Sequence, residues 1–156
     1  MDTQLTKTQL TLDTLPNWLG RDVGPSDWLT ITQERINQFA EATGDHQWIH
    51  VDAERAAKES PFGATVAHGY LTLSLMPMFK EQCMEYANVK MGVNYGTNRV
   101  RFMSPVKVNS RVRGRFKLLE VETIKGGVQV VWEATVEIDG LSKPACVAEL
   151  VARIYA

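Results

Sequence analysis

The sequence predicts a single α+β domain in which a curved antiparallel sheet wraps around one central buried helix. Three observations carry this expectation. The run from Gly69 to about Met84 is apolar on nearly every side, as in a helix enclosed by protein. Beyond it, Tyr95 to Phe102, Arg111 to Glu120, Val128 to Ile138 and Cys146 to Tyr155 are rich in Val, Arg, Thr and Glu in partial alternation, with Gly126-Gly127 and Asp139-Gly140 at two turns. They read as four antiparallel strands. The length, 156 residues, suits one domain and leaves too little chain for a second core.

Along the chain, residues 1–14 stay unassigned as an extension before a domain spanning residues 15–156. Pro16, Gly20, Gly24 and Pro25 mark a looped approach to a short strand at Trp28 to Ile31. Thr32 then suits a helix cap, Glu34 falls in the first turn, and Ile36, Phe39 and Ala40 share one face. Gln33 to Ala42 is therefore expected to be an amphipathic helix ended by Thr43 and Gly44. Ala53 to Lys58 suits a short helix and Ser60-Pro61-Phe62-Gly63 a turn. Pro77 removes a backbone donor from the apolar helix and predicts a kink near Leu73.

Composition narrows the function. Hydrophobic residues make up 44% and charged residues 22%, enough of the former to bury a real core. Lys+Arg 17 against Asp+Glu 18 leaves a formal charge of -1, so no field would hold a phosphate backbone or an anionic membrane. Neither nucleic acid nor membrane is an expected partner. The longest apolar stretch, Tyr70 to Phe79, is interrupted by Thr72 and Ser74 and is far too short to span a bilayer. Met1 to Leu12 lacks the apolar core of a secretory signal, and a cytoplasmic location is expected. Cys83 and Cys146 stand far apart without metal-type spacing and read as small buried hydrophobes.

Between the first amphipathic helix and the buried one lies Gly44-Asp45-His46-Gln47-Trp48-Ile49-His50-Val51-Asp52, too polar for a core element and too aromatic for a simple linker. It reads as a functional loop. Val66-Ala67-His68-Gly69 follows immediately before the buried helix. Asp45 and His50 could hold one water between a carboxylate and an imidazole. The backbone N–H of Gly69, at a helix start, could donate to a developing oxyanion, and a glycine lets a ligand approach the backbone closely. Those parts match the needs of adding water across an enoyl thioester. Taken alone, an Asp and a His five apart are more often a cap and a surface ring. A metal site from Asp45, His46, His50 and His68 is the weaker reading, because Gly44 and Trp48 argue for a loop and no further ligand cluster follows. Neither metal nor cofactor is expected.

The run Ala42-Thr43-Gly44-Asp45-His46-Gln47-Trp48-Ile49-His50-Val51-Asp52, with Ser60-Pro61-Phe62-Gly63 and Val66-Ala67-His68-Gly69-Tyr70-Leu71-Thr72-Leu73-Ser74-Leu75, closely resembles the MaoC-like dehydratases, especially the branch related to nodulation protein N. The likeness extends from about Leu15 onward. It implies a hot-dog fold, usually a homodimer, acting on acyl-CoA or acyl-carrier thioesters. It further implies R-specific enoyl-CoA hydration with Asp45 and His50 catalytic and Gly69 as oxyanion donor. His68, Tyr70 and Trp48 join Gly69 as expected substrate-binding residues, Trp48 as an apolar wall or as plain packing. Two positions depart from the better-studied hydratases: Gln47-Trp48 replaces Asn-Pro, and Pro77 stands where some carry a serine, with Thr72 and Ser74 the nearest hydroxyls. A hot-dog thioesterase is the main rival, but its acid would come from the central helix, which offers only Glu81 and Glu85 near the far end. A non-catalytic acyl-CoA-binding module is the other. Arg99, Arg101, Arg111, Arg113 and Arg115 alternate along strands and fit a solvated sheet face better than a CoA phosphate site.

Overall fold

The computed structural model describes residues 5–156. Its main sheet has the strand order β2-β6-β7-β8-β5, with β3 also paired to β6. The long strands are β5 (Met91–Phe102), β6 (Arg111–Ile124), β7 (Gly127–Ile138) and β8 (Cys146–Tyr155), all antiparallel to their neighbours. The short β2 (Asp22–Val23) and β3 (Leu29–Thr30) lie along the outer edge of β6. Register shifts at Leu118/Glu120 in β6 and at Asn94/Gly96 and Thr97/Arg99 in β5 interrupt the ladder and bend the sheet. On the concave face Val112, Phe116 and Leu118 of β6 and Val130, Trp132, Ala134 and Val136 of β7 are buried. The period of two that identified these strands is thus the period of their burial.

Against that face lies the apolar helix, in two pieces: α4 (Gly69–Ser74) and α5 (Met76–Cys83). Pro77 has no N–H for the Leu73 carbonyl, so the break at Leu75, two residues beyond the expected kink, has the expected cause. Leu71, Met76, Phe79 and Cys83 are buried in the main cluster. Enclosure is one-sided, however. Tyr70, Ser74, Pro77 and Glu81, spaced four, three and four apart, form an exposed stripe on the other face. The helix also ends at Cys83, one residue before the expected limit, because Met84 begins β4 (Met84–Tyr86).

Residues before position 15 are not all loose. Thr8–Leu10 forms β1, parallel to β4, and buries Leu10 completely. Leu15, in a 3-10 turn at Leu15–Trp18, is equally buried. The remaining helices precede the apolar one: α1 (Gln33–Thr43), α2 (Trp48–Val51) and α3 (Ala53–Glu59). Thr32 caps α1 by accepting from the Arg35 N–H at 3.2 Å, and Gly44 ends it in the left-handed region at φ 80. Among the described residues no helix is long and apolar enough to cross a membrane.

The convex face is charged and largely self-satisfied. Arg113 and Arg115 both donate to Glu137, at 2.7 and 3.1 Å, and Arg111 donates to Asp139. Burial works against the ionised Glu137, yet its two guanidinium partners hold its pKa below the ordinary carboxylate value. Trp28 lies under the guanidinium groups of Arg111 and Arg113. Both cysteines are buried free thiols, each pushed up to about 11 by desolvation.

Close contact between helix and sheet depends on Gly114, where a Cβ would lie 2.6 Å from the Phe79 Cβ. Phe79 is fully buried and has nowhere to move. Gly114→Ala is expected to lower the unfolding free energy by about 1–3 kcal/mol in urea titrations. Unchanged stability would show that α5 is not seated on β6 at this point.

Candidate active site

Three local features place the histidines. Gly44 releases the chain from α1 into Asp45–Gln47, where an Asp45 carboxylate oxygen accepts the Gln47 N–H at 3.3 Å. The single turn of α2, in a segment expected to be loop throughout, then turns His50 inward, 7% exposed. His46 stays half-exposed beside Glu41 at 3.5 Å and takes no part in the site. Asp52 ends the motif as a cap, accepting from the Arg55 N–H at 3.0 Å.

The segment before α4 is clamped to this motif. Val66 N–H donates to the Ile49 carbonyl at 3.1 Å, and Ala67 N–H to that of Val106 at 2.8 Å. Gln33, at the start of α1, donates to the His50 carbonyl at 2.8 Å and accepts from the Thr65 hydroxyl at 2.6 Å. Sequence reasoning missed Gln33 and Thr65. A glutamine in a helix's first turn and a threonine after a turn give no signal of pairing across more than thirty positions.

His50 Nδ1 lies 2.6 Å from the Val66 carbonyl, which can only accept, so the hydrogen is on Nδ1 and Nε2 keeps its lone pair. Burial lowers the His50 pKa below its ordinary 6.5, and the Val66 bond only partly opposes this. The ring therefore sits as a neutral base. His68 stacks on it with centroids 3.8 Å apart and planes at 25°, and is itself 2% exposed. A carboxylate oxygen of Asp45, a ring nitrogen of His50 and a ring nitrogen of His68 lie within 4.8 Å of one another. Asp45 is exposed, so the three form a polar cluster open to solvent on one side.

That cluster is a poor metal site. Lone pairs of imidazole lie in the ring plane, and two stacked rings send them side by side rather than to one point. One nitrogen of each ring meets a main-chain carbonyl, Val66 for His50 and Asp45 for His68, which leaves a single nitrogen on each of two stacked rings to reach an ion.

Gly69 follows His68 directly as the first residue of α4, where its N–H has no acceptor within the helix. A Cβ here would meet the Phe102 ring at 3.0 Å, tighter than ordinary van der Waals contact, so the glycine lets that ring lie close against the start of α4. A cavity of about 280 Å³ lined by Phe62, Gly69, Thr72, Phe102 and Val106 opens beside it. Phe102 was not singled out in the sequence, where it reads as one more strand residue. Tyr70 points outward, 70% exposed, with its edge against Phe102. Trp48 lies under the Arg55 guanidinium at 4.2 Å. At the position of the missing serine, Pro77 stands past the helix break and joins Leu73, Tyr95 and Leu150 around a second cavity of about 270 Å³. Ser74 is committed to the Tyr70 carbonyl at 2.6 Å, and Thr72 is buried. Glu81 lies toward the other end of the broken helix, and Glu85, expected on that helix, instead belongs to β4, where it accepts from Gln9 of β1.

Comparison with known proteins bears on this arrangement. Residues 15–139 match the model of the MaoC like domain. The chain is 55% identical over 138 residues to the 3-hydroxyacyl-thioester dehydratase Z of Mycobacterium tuberculosis (strain ATCC 25618 / H37Rv), covering 88% of this chain and 91% of that protein. It is 50% identical over 150 residues to nodulation protein N of Rhizobium leguminosarum bv. viciae, covering 90% and 88% of the two chains. In three dimensions it matches the (R)-hydratase from A. caviae involved in PHA biosynthesis with a TM-score of 0.68 at 19% identity, over 86% of this chain and 94% of that one. With its helix-wrapping sheet and a family match over most of its length, the chain belongs to the MaoC-like dehydratases of the hot-dog fold.

Proposed function

We propose that this protein adds water reversibly across the double bond of a trans-2-enoyl thioester, carried on CoA or an acyl-carrier protein, to give the 3-hydroxyacyl thioester, and that the product is the R enantiomer. The observation that carries the reading is the neutral His50 ring, its Nδ1 hydrogen fixed on Val66, in one cluster with the Asp45 carboxylate. The identity to a protein named 3-hydroxyacyl-thioester dehydratase supports the reaction class.

In the hydration direction, a water held between the two groups gives one hydrogen to His50 Nε2 and is oriented through the other by Asp45. Its oxygen bonds to the β-carbon as the O–H bond to the transferred proton breaks. The π electrons move onto the thioester oxygen, which accepts a hydrogen bond from the Gly69 N–H in this reading. Imidazolium then returns the proton to the α-carbon, restoring the carbonyl and the neutral ring. Dehydration runs the same steps backward. A thioesterase would need a carboxylate from the helix beside the thioester, whereas Glu81 lies toward its other end and Glu85 beyond it in β4.

The test is crotonyl-CoA, followed both by loss of enoyl absorbance and by release of free thiol. Hydration without thiol supports the reading, thiol release supports a thioesterase, and no change supports a binding module. Asp45→Asn and His50→Ala should each lower hydration by at least about a hundredfold with the fold intact. Activity within about tenfold of wild type in either folded variant would remove the motif from the chemistry.

A pH profile tests the role of His50 separately. Because burial lowers its pKa, the neutral base persists as pH falls toward the ordinary value of 6.5 and is lost only below it. The acid limb of kcat/KM should therefore have its midpoint under 6.5. A midpoint above that value would assign the limb to another group.

The functional unit is proposed to be a homodimer. Among the described residues β5 pairs only with β8 and no strand lies on its other edge, and Met91, Val93, Tyr95 and Phe102 are exposed along it. The exposed helix stripe ending in Tyr70 adds a second uncovered surface. A twofold partner would cover both. Light scattering at micromolar concentration should give twice the chain mass, and Val93→Asp should shift the protein toward monomer. A monomeric wild type would contradict the assembly.

A further inference from the structure

We propose that His68 is a positioning residue for this reaction, one that fixes both Asp45 and His50 and makes no contact with substrate. The inference rests on the hydratase reading above and goes beyond the substrate-binding role that the family resemblance implies for this position.

Four observations converge. His68 Nε2 lies 3.0 Å from the Asp45 carbonyl, so Nε2–H is the donor and the ring holds the main chain of the very residue that carries the carboxylate. The opposite nitrogen, Nδ1, is buried with no hydrogen-bond partner. One neighbour of the ring is His50, stacked at 3.8 Å, and another is Phe39 of α1, at 4.9 Å and tilted by 54°. With 2% of its surface exposed and its one N–H engaged, the ring has no donor left for a thioester oxygen.

The stranded Nδ1 makes the case sharper. A buried acceptor without a donor costs desolvation energy that an apolar side chain of similar size would avoid. The Asp45 carbonyl belongs to an exposed loop residue and could take its hydrogen bond from water instead. Packing and stability alone therefore favour leucine over histidine here. What only a donor at the Nε2 position supplies is a rigid link between the loop carrying Asp45 and the start of α4, with His50 held against the same ring. Aligning two groups on one water is sensitive to such links, since about 1 Å of misplacement can cost about a hundredfold in rate.

The experiment compares His68→Leu, which keeps bulk without the donor, with His68→Gln, whose amide nitrogen reaches the same number of bonds from the backbone as imidazole Nε2. His68→Asn serves as the short control. Expected for the leucine variant is a kcat lower by about a hundredfold, KM within about threefold and a melting temperature equal to or above wild type. Glutamine should bring kcat back to within about tenfold of wild type, and asparagine should not. Near-normal kcat in the leucine variant overturns the proposal. So does a raised KM at unchanged kcat, which would mean substrate contact, or a melting temperature lowered alike in all variants without rescue, which would mean packing. One arm is independent of turnover: long-range proton–nitrogen spectra of the unliganded protein should show His68 as the Nε2–H tautomer and His50 as the Nδ1–H tautomer. The opposite tautomer at His68 refutes the link whatever the substrate proves to be. Absence of hydration by wild type, with those tautomers present, counts against the hydratase reading and leaves the link standing.

Discussion

The hydrogen bond from His50 Nδ1 to the Val66 carbonyl holds the site together. Val66 is where three parts of the fold meet: its N–H pairs with Ile49 in α2, it bridges to Lys107 in the connection between β5 and β6, and Ala67, His68 and the start of α4 follow directly. One carbonyl therefore selects the tautomer of the imidazole, fixes its orientation and registers the loop against the central helix. If that bond were lost, Nδ1 would become a buried donor without an acceptor, and either nitrogen could carry the hydrogen. Burial of the ring and its basicity are two faces of the same packing, because the surroundings that exclude water also disfavour the charged form.

Behind the site, packing at short range makes this arrangement stiff. Gly114 lets Phe79 seat against β6, and Gly69 lets Phe102 seat against α4, so the same helix touches the sheet through a missing side chain near each end. Between these contacts the helix is broken at Leu75. The half carrying Gly69 thus takes its direction from β5 and the Val66 segment, while the half carrying Phe79 and Cys83 follows β6. Trp132 links the deep core to the far end through a 3.2 Å bond from its indole N–H to Tyr86, whose phenol is pushed up to about 12 by burial.

Much of this was legible in the residues. Thr32 and Gly44 marked α1 to within a residue because caps are local chemistry, and the strands were found by a period of two that reports burial directly. The first long strand was placed four residues late, since β5 is exposed along nearly its whole length and no alternation in burial marks where it begins. β1, β2 and β4 were missed because strands of two or three residues exist only through partners far away in sequence. One expected turn glycine, Gly127, instead opens β7, where a Cβ would collide with the Ile154 carbonyl oxygen. Asp45 and His50 were readable as a motif. The stacking of His68 on His50 was not, because nothing in an eighteen-residue separation says that two rings will be parallel.

The pairing of β5 with β8 alone carries a consequence for the order in which the molecule can assemble. β6, β7 and β8 form a meander of neighbouring strands, each able to pair with the one just before it, whereas β5 must wait for a strand that emerges only after β6 and β7 have been made. Until then the pairing edge of β5 and the α4 half of the apolar helix, which packs toward β8, are uncovered together. The residues of the histidine cluster, by contrast, all lie within Asp45 to His68, ahead of any long strand. Synthesis therefore delivers the chemistry first and its shelter last, so the interval before β8 arrives is when a growing chain is most exposed to capture by its neighbours.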